Sequence, residues 1–290
     1  MDELEYNVEI EGVSYIGAPI SHTVMFLTKK VEELLDNLSK VSSCLVFVEN
    51  GVVVADDIRS RHCIVFSDRP QYEYARYVTR LHELKFEKDR QRSYSLTSEG
   101  YYIGENVSIG EGAYIEPGCI IGHDVIIGKN VRIYSGVRIK YATIGDECII
   151  NENAIIGASG FTMTEDEEGN MYRIPSMGKV VIGNHVEIGA GNNVSRGSGG
   201  NTVIENYVKT DALVHVAHDV HLHENVKITS GVVLGGYVNI EKKSFLGLGV
   251  VVKNRLDIEE GVTIGMGAMV TKNLPAGVKA LGSPARMIKD

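Results

Sequence analysis

The 290-residue sequence has no tryptophan and only six prolines. Its apolar runs fall well short of the roughly 20 residues that cross a bilayer, which argues against a membrane partner. It opens MDELEYNVEIEGVSY, an acidic stretch without the apolar core of a signal peptide. Cysteines are few and scattered: Cys44, Cys63, Cys119 and Cys148 form no CxxC pair, so a cysteine-held zinc has no footing. Isolated cysteines of this kind read as buried thiols in a reducing cytoplasm. Positive charge is short as well. With 29 Lys and Arg against 38 Asp and Glu the formal charge is -9, which gives a nucleic-acid partner no electrostatic footing. Glycine is plentiful, at 32, and its placement bears on the fold.

Residues 1–95 read as a small α/β domain. CLVFVENGVVVA (44–55) reads as two strands around an Asn-Gly turn, and HCIVFS (62–67) as a further short strand. YEYARYVTRLHELKF (72–86) has apolar residues at helical spacing, after a Pro70 suited to a helix start. The charged EKDRQRS (87–93) reads as a solvated linker.

From residue 103 the rule changes. Ile103, Ile109, Ile115, Ile121, Ile127, Ile133 and Ile139 recur every six residues, and after a one-residue slip the series resumes at Ile144, Ile150 and Ile156. Ile182, Ile188 and Val194 form another block. A twelve-member block then runs from Ile204 through Thr210, Val216, Leu222 and onward to Val270. Of these 25 positions only Thr210 is not aliphatic, which chance does not produce. A period of six is neither helical nor a plain alternating strand. It fits the hexapeptide repeat of a parallel β-helix, with one aliphatic side chain per hexapeptide pointing inward. The glycine that often follows suits a corner where a Cβ would crowd or φ is positive. The domains expected are therefore 1–95, a β-helix over 96–275 with an inserted loop at 158–179, and a C-terminal cap at 276–290.

The hexapeptides resemble those of the left-handed β-helix acyltransferases, in which three of them make one coil of 18 residues. ASGF, an interrupting loop, IPSMGKVVIGNHVEIGAGNNVSRGSGGNTVIENYV and HVAHDV resemble the UDP-3-O-acylglucosamine N-acyltransferase family in particular. TVMFLTKKVEELL and RPQYEYARYVTRL resemble that family's nucleotide-binding domain. The end, NLPAGVKALGSPARMIKD, departs from it and is similar to acetyl-CoA-dependent sugar acetyltransferases. Nucleotide-sugar N-acyltransferases that make acylamino deoxysugars combine both features. The resemblance implies a mainly β chain, a left-handed parallel β-helix with a small N-terminal α/β domain, assembled as a homotrimer. It also implies that the inserted loop folds over a neighbour's active site.

Four histidines crowd LVHVAHDVHLHEN (213–225). A period of six sends His215 and His221 to different faces, so a metal is not expected. The resemblance puts the family's catalytic histidine at His218, and the matching oxyanion donor is the backbone N–H of Gly236, one 18-residue coil on. Imidazole titrates near neutrality and suits a general base. Asp219 is either a partner of that imidazole or a plain turn residue, with side chains on adjacent strand positions expected to diverge. His215 is a candidate sugar contact, and His221 and His223 read as exposed. By resemblance, acyl-CoA would be the co-substrate, held by Gly249, Asn254, Arg255, Gly267, Ala268, Lys272 and Arg286. Arg255 stands where the lipid family has a histidine. Phe26, Thr28, Lys29 and Lys30 would meet the nucleotide, with Phe26 in the core as the competing reading. The function expected is transfer of a short acyl group from acyl-CoA to the amine of a dTDP- or UDP-linked aminodeoxysugar, without metal or redox cofactor. The alternatives are UDP-3-O-acylglucosamine N-acyl transfer from acyl carrier protein, and a non-catalytic β-helix scaffold or nucleotide-sugar binding module.

Overall fold

The computed structural model describes residue 6 and residues 8–288. Two compact units emerge. One holds the described residues up to 89 together with 161–178 and 198–200, and the other holds 90–160, 179–197 and the described residues from 201 onward.

The first unit is built on a four-stranded parallel sheet, β1 (Gly12–Val13), β2 (Thr23–Leu27), β3 (Leu45–Glu49) and β4 (Cys63–Ser67), in the order β1-β2-β3-β4. Helices cover both faces, which explains why TVMFL and LVFVE are almost continuously apolar. Leu35 and Leu38 of a 3-10 segment, Lys29–Lys40, pack on one face with Ile58 of α1 (Asp56–Arg59). Tyr74, Ala75, Tyr77 and Val78 of α2 (Pro70–Asp89) pack on the other. The expected hairpin at 44–55 does not form. Asn50 and Gly51 do turn the chain, with Gly51 at φ +90°, but it then leaves the sheet, burying Val52 and Val54 beneath it. The partners of β3 are the parallel strands β2 and β4. The linker also shortens, because α2 continues through Asp89.

The inserted segment is a β-hairpin, Met163–Glu165 paired with Met171–Arg173. It packs within the first unit of its own chain: Tyr172 Oη donates to Thr79 Oγ1 (3.2 Å) and Ile174 is buried among α2 residues. The acidic run at its tip turns around Asp166, whose carboxylate accepts the N–H groups of Glu168 and Asn170.

The second unit is a three-sided parallel β-helix with sheets of eight, ten and ten strands. Neighbouring coils pair at 18-residue spacing, as in His215 with Val233 and Val216 with Leu234. The 25 periodic positions line its interior, and all from Ile115 onward are buried. Each fully buried aliphatic contributes roughly 1.5–3 kcal/mol. A second inward column stands two residues before the first. Val125, Val131, Val137, Val208, Val214, Val220, Val226, Val232 and Val238 fill it, and so do Cys119 and Cys148, whose thiols are buried and unpaired by disulfides. Thr210 is tolerated in the core because its Oγ1 accepts from Asn192 Nδ2 (2.7 Å) and donates to the Glu187 carbonyl (3.2 Å).

The two corner requirements fall on different residues. The glycine directly after an inward residue answers crowding: a Cβ on Gly128 would stand 2.5 Å from the carbonyl carbon of Gly145 in the next coil. Positive φ falls three positions after the inward residue, where Asp124 (+59°), Asn130 (+55°) and Asp219 (+58°) occupy the left-handed region that Asn and Asp tolerate best among non-glycine residues. At the C-terminal end Arg286–Ile288 pairs antiparallel with Lys279–Leu281 and covers that strand's edge.

Candidate active site

His218 lies at the corner that follows the strand His215–Val216. Strands here are only two residues long, so the chain is already turning at Ala217 and His218. Asp219 then takes its left-handed φ and folds its carboxylate back. Asp219 Oδ2 stands 2.8 Å from His218 Nδ1, and the two side chains are 4% and 13% exposed. Neighbouring side chains diverge along regular strands but come together at this corner. The Asp219 N–H donates to Oγ1 of the fully buried Thr202 (2.9 Å), which ties the corner to the preceding coil. A carboxylate on Nδ1 keeps the proton there and leaves Nε2 as the basic nitrogen.

The imidazole is packed between two glycines. A Cβ on Gly236 would meet its Cε1 at 2.7 Å and its Nε2 at 2.8 Å; a Cβ on Gly160 would meet its Cβ at 2.8 Å and its Cδ2 at 2.9 Å. Gly236 is buried, and among the described residues its N–H donates to no acceptor, which leaves a donor beside the basic nitrogen. The Tyr237 ring stands edge-on to the imidazole at 5.3 Å, and the Arg255 guanidinium lies 4.3 Å over the Tyr237 ring. The corner is thus an imidazole with a fixed tautomer, an uncommitted amide and a nearby cation. His215 is half-buried on the adjoining strand, where burial first and the charge of His218 second lower its pKa.

The 18-residue register places His218, Gly236, Asn254 and Lys272 in one column, with Arg255 one position along from Asn254. Asn254, Arg255 and Lys272 are exposed. Gly249 and Gly267 sit at the opposite edge of the same sheet, both exposed at positive φ. Ala268 is a correction: it is 1% exposed and fills the inward column, so its side chain is not available to a ligand. Arg286 is exposed on the terminal antiparallel strand.

In the first unit, Phe26 is partly buried and packs against Tyr74 at 5.2 Å, so the core reading describes it better than an open stacking platform. Thr28 stands at the N-cap position of the 3-10 segment without a side-chain capping hydrogen bond, the Lys29 N–H donates to Glu49 Oε2 (2.8 Å), and both Lys29 and Lys30 are exposed. His221 and His223, expected to be exposed, are half-buried and share Glu205 as a partner. Gly160, Thr202 and Tyr237 went unread in the sequence. Tyr237 stands 18 residues after Asp219 and was within reach of coil counting. Gly160 was not, because it lies between a β-bulge at Gly157 and the insertion.

Among known families, residues 103–198 match the GMPPB C-terminal domain and residues 201–236 match the bacterial transferase hexapeptide (six repeats). In solved structures, the UDP-N-acetylglucosamine O-acyltransferase of Moraxella catarrhalis RH4 superposes with a TM-score of 0.58 at 24% identity, over 66% of this chain and 73% of that one. The UDP-N-acetylglucosamine acyltransferase of Bacteroides fragilis 9343 gives 0.59 at 24% identity, over 67% and 74%. The chain is a left-handed β-helix protein of the hexapeptide-repeat type. Among curated relatives of this β-helix protein, UDP-3-O-acylglucosamine N-acyltransferase 2 of Legionella pneumophila is 41% identical over 152 residues, 52% of this chain and 44% of the relative. UDP-3-O-acylglucosamine N-acyltransferase of Coxiella burnetii is 44% identical over 93 residues, 32% and 27% of the two. The β-helix protein thus spans less than half the length of these curated relatives. Among its described residues no helix is long and apolar enough to cross a membrane.

Proposed function

We propose that the protein is a sugar-nucleotide N-acyltransferase that acylates the amine of a UDP-linked, glucosamine-type sugar, as a cytoplasmic homotrimer. The observation that carries this reading is the corner itself: His218 held by Asp219 at Nδ1 and packed on the backbone of Gly236. In the step proposed, the amine attacks a thioester carbonyl. The C–N bond forms, the C–S bond breaks, and the amine proton passes to His218 Nε2 and then to the departing sulfur. Asp219 steadies the imidazolium, and the Gly236 N–H donates to the oxyanion. A positioned base is worth about 10²–10⁴ in rate, and one oxyanion donor on the order of 3–4 kcal/mol. No metal or redox cofactor enters this step. His215 belongs to the proposal as a sugar contact, and Thr28, Lys29 and Lys30 as nucleotide contacts.

The named relatives favour the UDP-glucosamine acceptor over a deoxysugar; the donor proposed with it is an acyl group carried on acyl carrier protein. A second reading, a short acyl-CoA, draws on Lys272 in the His218 column and on the exposed Arg286, whose guanidinium matches phosphate geometry. The deciding experiment supplies the purified chain with UDP-linked aminosugars and either acyl carrier protein thioesters or acyl-CoAs. Turnover with one donor chooses between the readings. Binding of the sugar nucleotide without turnover on any donor would make the chain a binding module, and full turnover by His218→Ala would overturn the proposal.

A further inference from the structure

One coil face carries chemistry that the acyl-transfer proposal does not use. The period of six separates His215 from His221, but it does not separate His221 from His223. His221 opens the two-residue strand His221–Leu222 and His223 directly follows it, and their rings stack at 3.8 Å, so the two side chains leave on the same side. The register pairs Val203 with His221, which sets Glu205 alongside His223 in the preceding coil. His221 Nε2 stands 2.7 Å and His223 Nδ1 3.1 Å from the same Glu205 oxygen, Oε1. All three donor atoms lie within 4.8 Å of one another.

The far side of His223 is occupied in a way that fixes its tautomer. Its Nε2 stands 2.9 Å from Asn239 Oδ1, and Asn239 Nδ2 donates to Glu241 Oε1 (3.4 Å), so the amide oxygen faces the ring. His223 Nε2 therefore carries the proton. In the neutral ring Nδ1 then presents a lone pair to a carboxylate oxygen, an acceptor facing an acceptor. A metal cation between them resolves the conflict, as would a second proton on the ring, which also has Glu241 Oε1 3.4 Å from its Nε2. The backbone is set firmly for it: the N–H groups of Glu205, His221 and His223 donate to the carbonyls of Leu222, Val238 and Ile240 at 2.8–2.9 Å. The three side chains are 33%, 37% and 21% exposed, which leaves one side open to water or another ligand.

We propose that Glu205, His221 and His223 form a binding site for a divalent transition-metal ion of the zinc class, with Asn239 orienting His223 from behind. Two imidazoles and one carboxylate are a donor set for zinc rather than magnesium or calcium, which take oxygen ligands. With zinc–ligand distances of about 2.0–2.1 Å, donors around a tetrahedral ion stand roughly 3.3 Å apart, so the side chains need only a small opening. The ion would clip two successive coils together. It is independent of the His218 chemistry.

The test uses the full chain, freed of metal with a chelator and titrated with zinc chloride by calorimetry, with zinc counted by elemental analysis. One zinc per chain and a raised Tm are expected, with no response to magnesium. His223→Ala and Glu205→Gln should each weaken binding at least about 100-fold. Asn239→Ala, outside the ligand set, should weaken it about 10- to 100-fold. His185→Ala, whose imidazole pairs with Glu147 elsewhere, should bind like the parent. Absence of saturable binding, or parent-like binding by the folded His223→Ala and Asn239→Ala proteins, would overturn the site and identify the cluster as an imidazolium–carboxylate network.

Discussion

Asp219 Oδ2 lies 2.8 Å from Nδ1 of His218, the residue before it in the chain, because Asp219 adopts a φ of +58°. A carboxylate cannot ordinarily reach back to the preceding side chain along a strand; at this corner the left-handed turn makes it possible. The pairing separates two contributions that one substitution would confuse. His218→Ala should lower kcat by about 10²–10⁴. Asp219→Asn keeps a side chain that tolerates positive φ and exchanges a charged hydrogen bond for a neutral one. A difference of about 1.4 kcal/mol corresponds to roughly a tenfold loss of rate, with Tm close to the parent. Asp219→Ala should lose the rate and also lower Tm, since a left-handed alanine costs about 1–2 kcal/mol. Equal kcat for Asp219→Asn and the parent would reduce Asp219 to a corner residue.

The two glycines against the imidazole give different expectations. A Cβ at Gly236 would meet the far end of the ring, which can swing away, whereas a Cβ at Gly160 would meet the ring's root at His218 Cβ, which cannot. Gly236→Ala should therefore fold normally and lose activity as Nε2 is displaced. Gly160→Ala should lose activity and also be destabilised by about 1–3 kcal/mol, the usual cost of overpacking. Thermal unfolding and initial rates on the same preparations separate the two. A fully active Gly236→Ala protein would mean that the imidazole does not depend on the space a Cβ at Gly236 would fill.

Much of this molecule was legible in its sequence because a β-helix repeats one local rule. Ile, Leu and Val every six residues define the interior, and counting 18 from His218 lands on Gly236. The second inward column was harder to see, since Ala113, Cys119, Asn192 and Ser244 interrupt its valines. Local exceptions were harder still. The Asn50-Gly51 turn reads as a hairpin, yet a parallel sheet with helices on both faces outweighs it. Glu87, Lys88 and Asp89 read as linker because they are charged, but charge does not stop a helix, and α2 runs through them. Gly160 follows a bulge that breaks the count, so no spacing argument could bring it to His218.

Thr210 is held by polar contacts inside an otherwise aliphatic column. Periodicity makes it the one flaw in an aliphatic column, and Thr210→Val looks like a repair. The contacts argue the opposite. Thr210 Oγ1 accepts from Asn192 Nδ2 at 2.7 Å, and Asn192 is 1% exposed. Valine would leave that buried amide without its acceptor, a loss of about 1–3 kcal/mol. Thr210→Val should therefore lower the midpoint of denaturant unfolding, and Asn192→Ala combined with Thr210→Val should cost less than the sum of the two. A stabilised Thr210→Val protein would mean that the hydroxyl is incidental.

His62 makes the first unit sensitive to acid. Its Nδ1 accepts the Cys44 N–H (3.3 Å) and its Nε2 lies 3.1 Å from the Leu38 carbonyl, so the folded ring is neutral with its proton on Nε2. Burial lowers its pKa; the Leu38 carbonyl pulls the other way, and the charge of Arg61 adds to the lowering. In the unfolded chain the imidazole takes up a proton near pH 6.5. Between the folded pKa and that value the unfolded state binds more protons, so stability rises with pH through this window. The contribution is complete above about pH 6.5 and is lost as the pH falls through the folded pKa. His62→Asn keeps an acceptor for Cys44 and has no proton to gain. Thermal unfolding followed from pH 5 to 8 should show a rising Tm in the parent and a flatter profile in His62→Asn. Parallel profiles in the two proteins would assign the acid sensitivity to other groups.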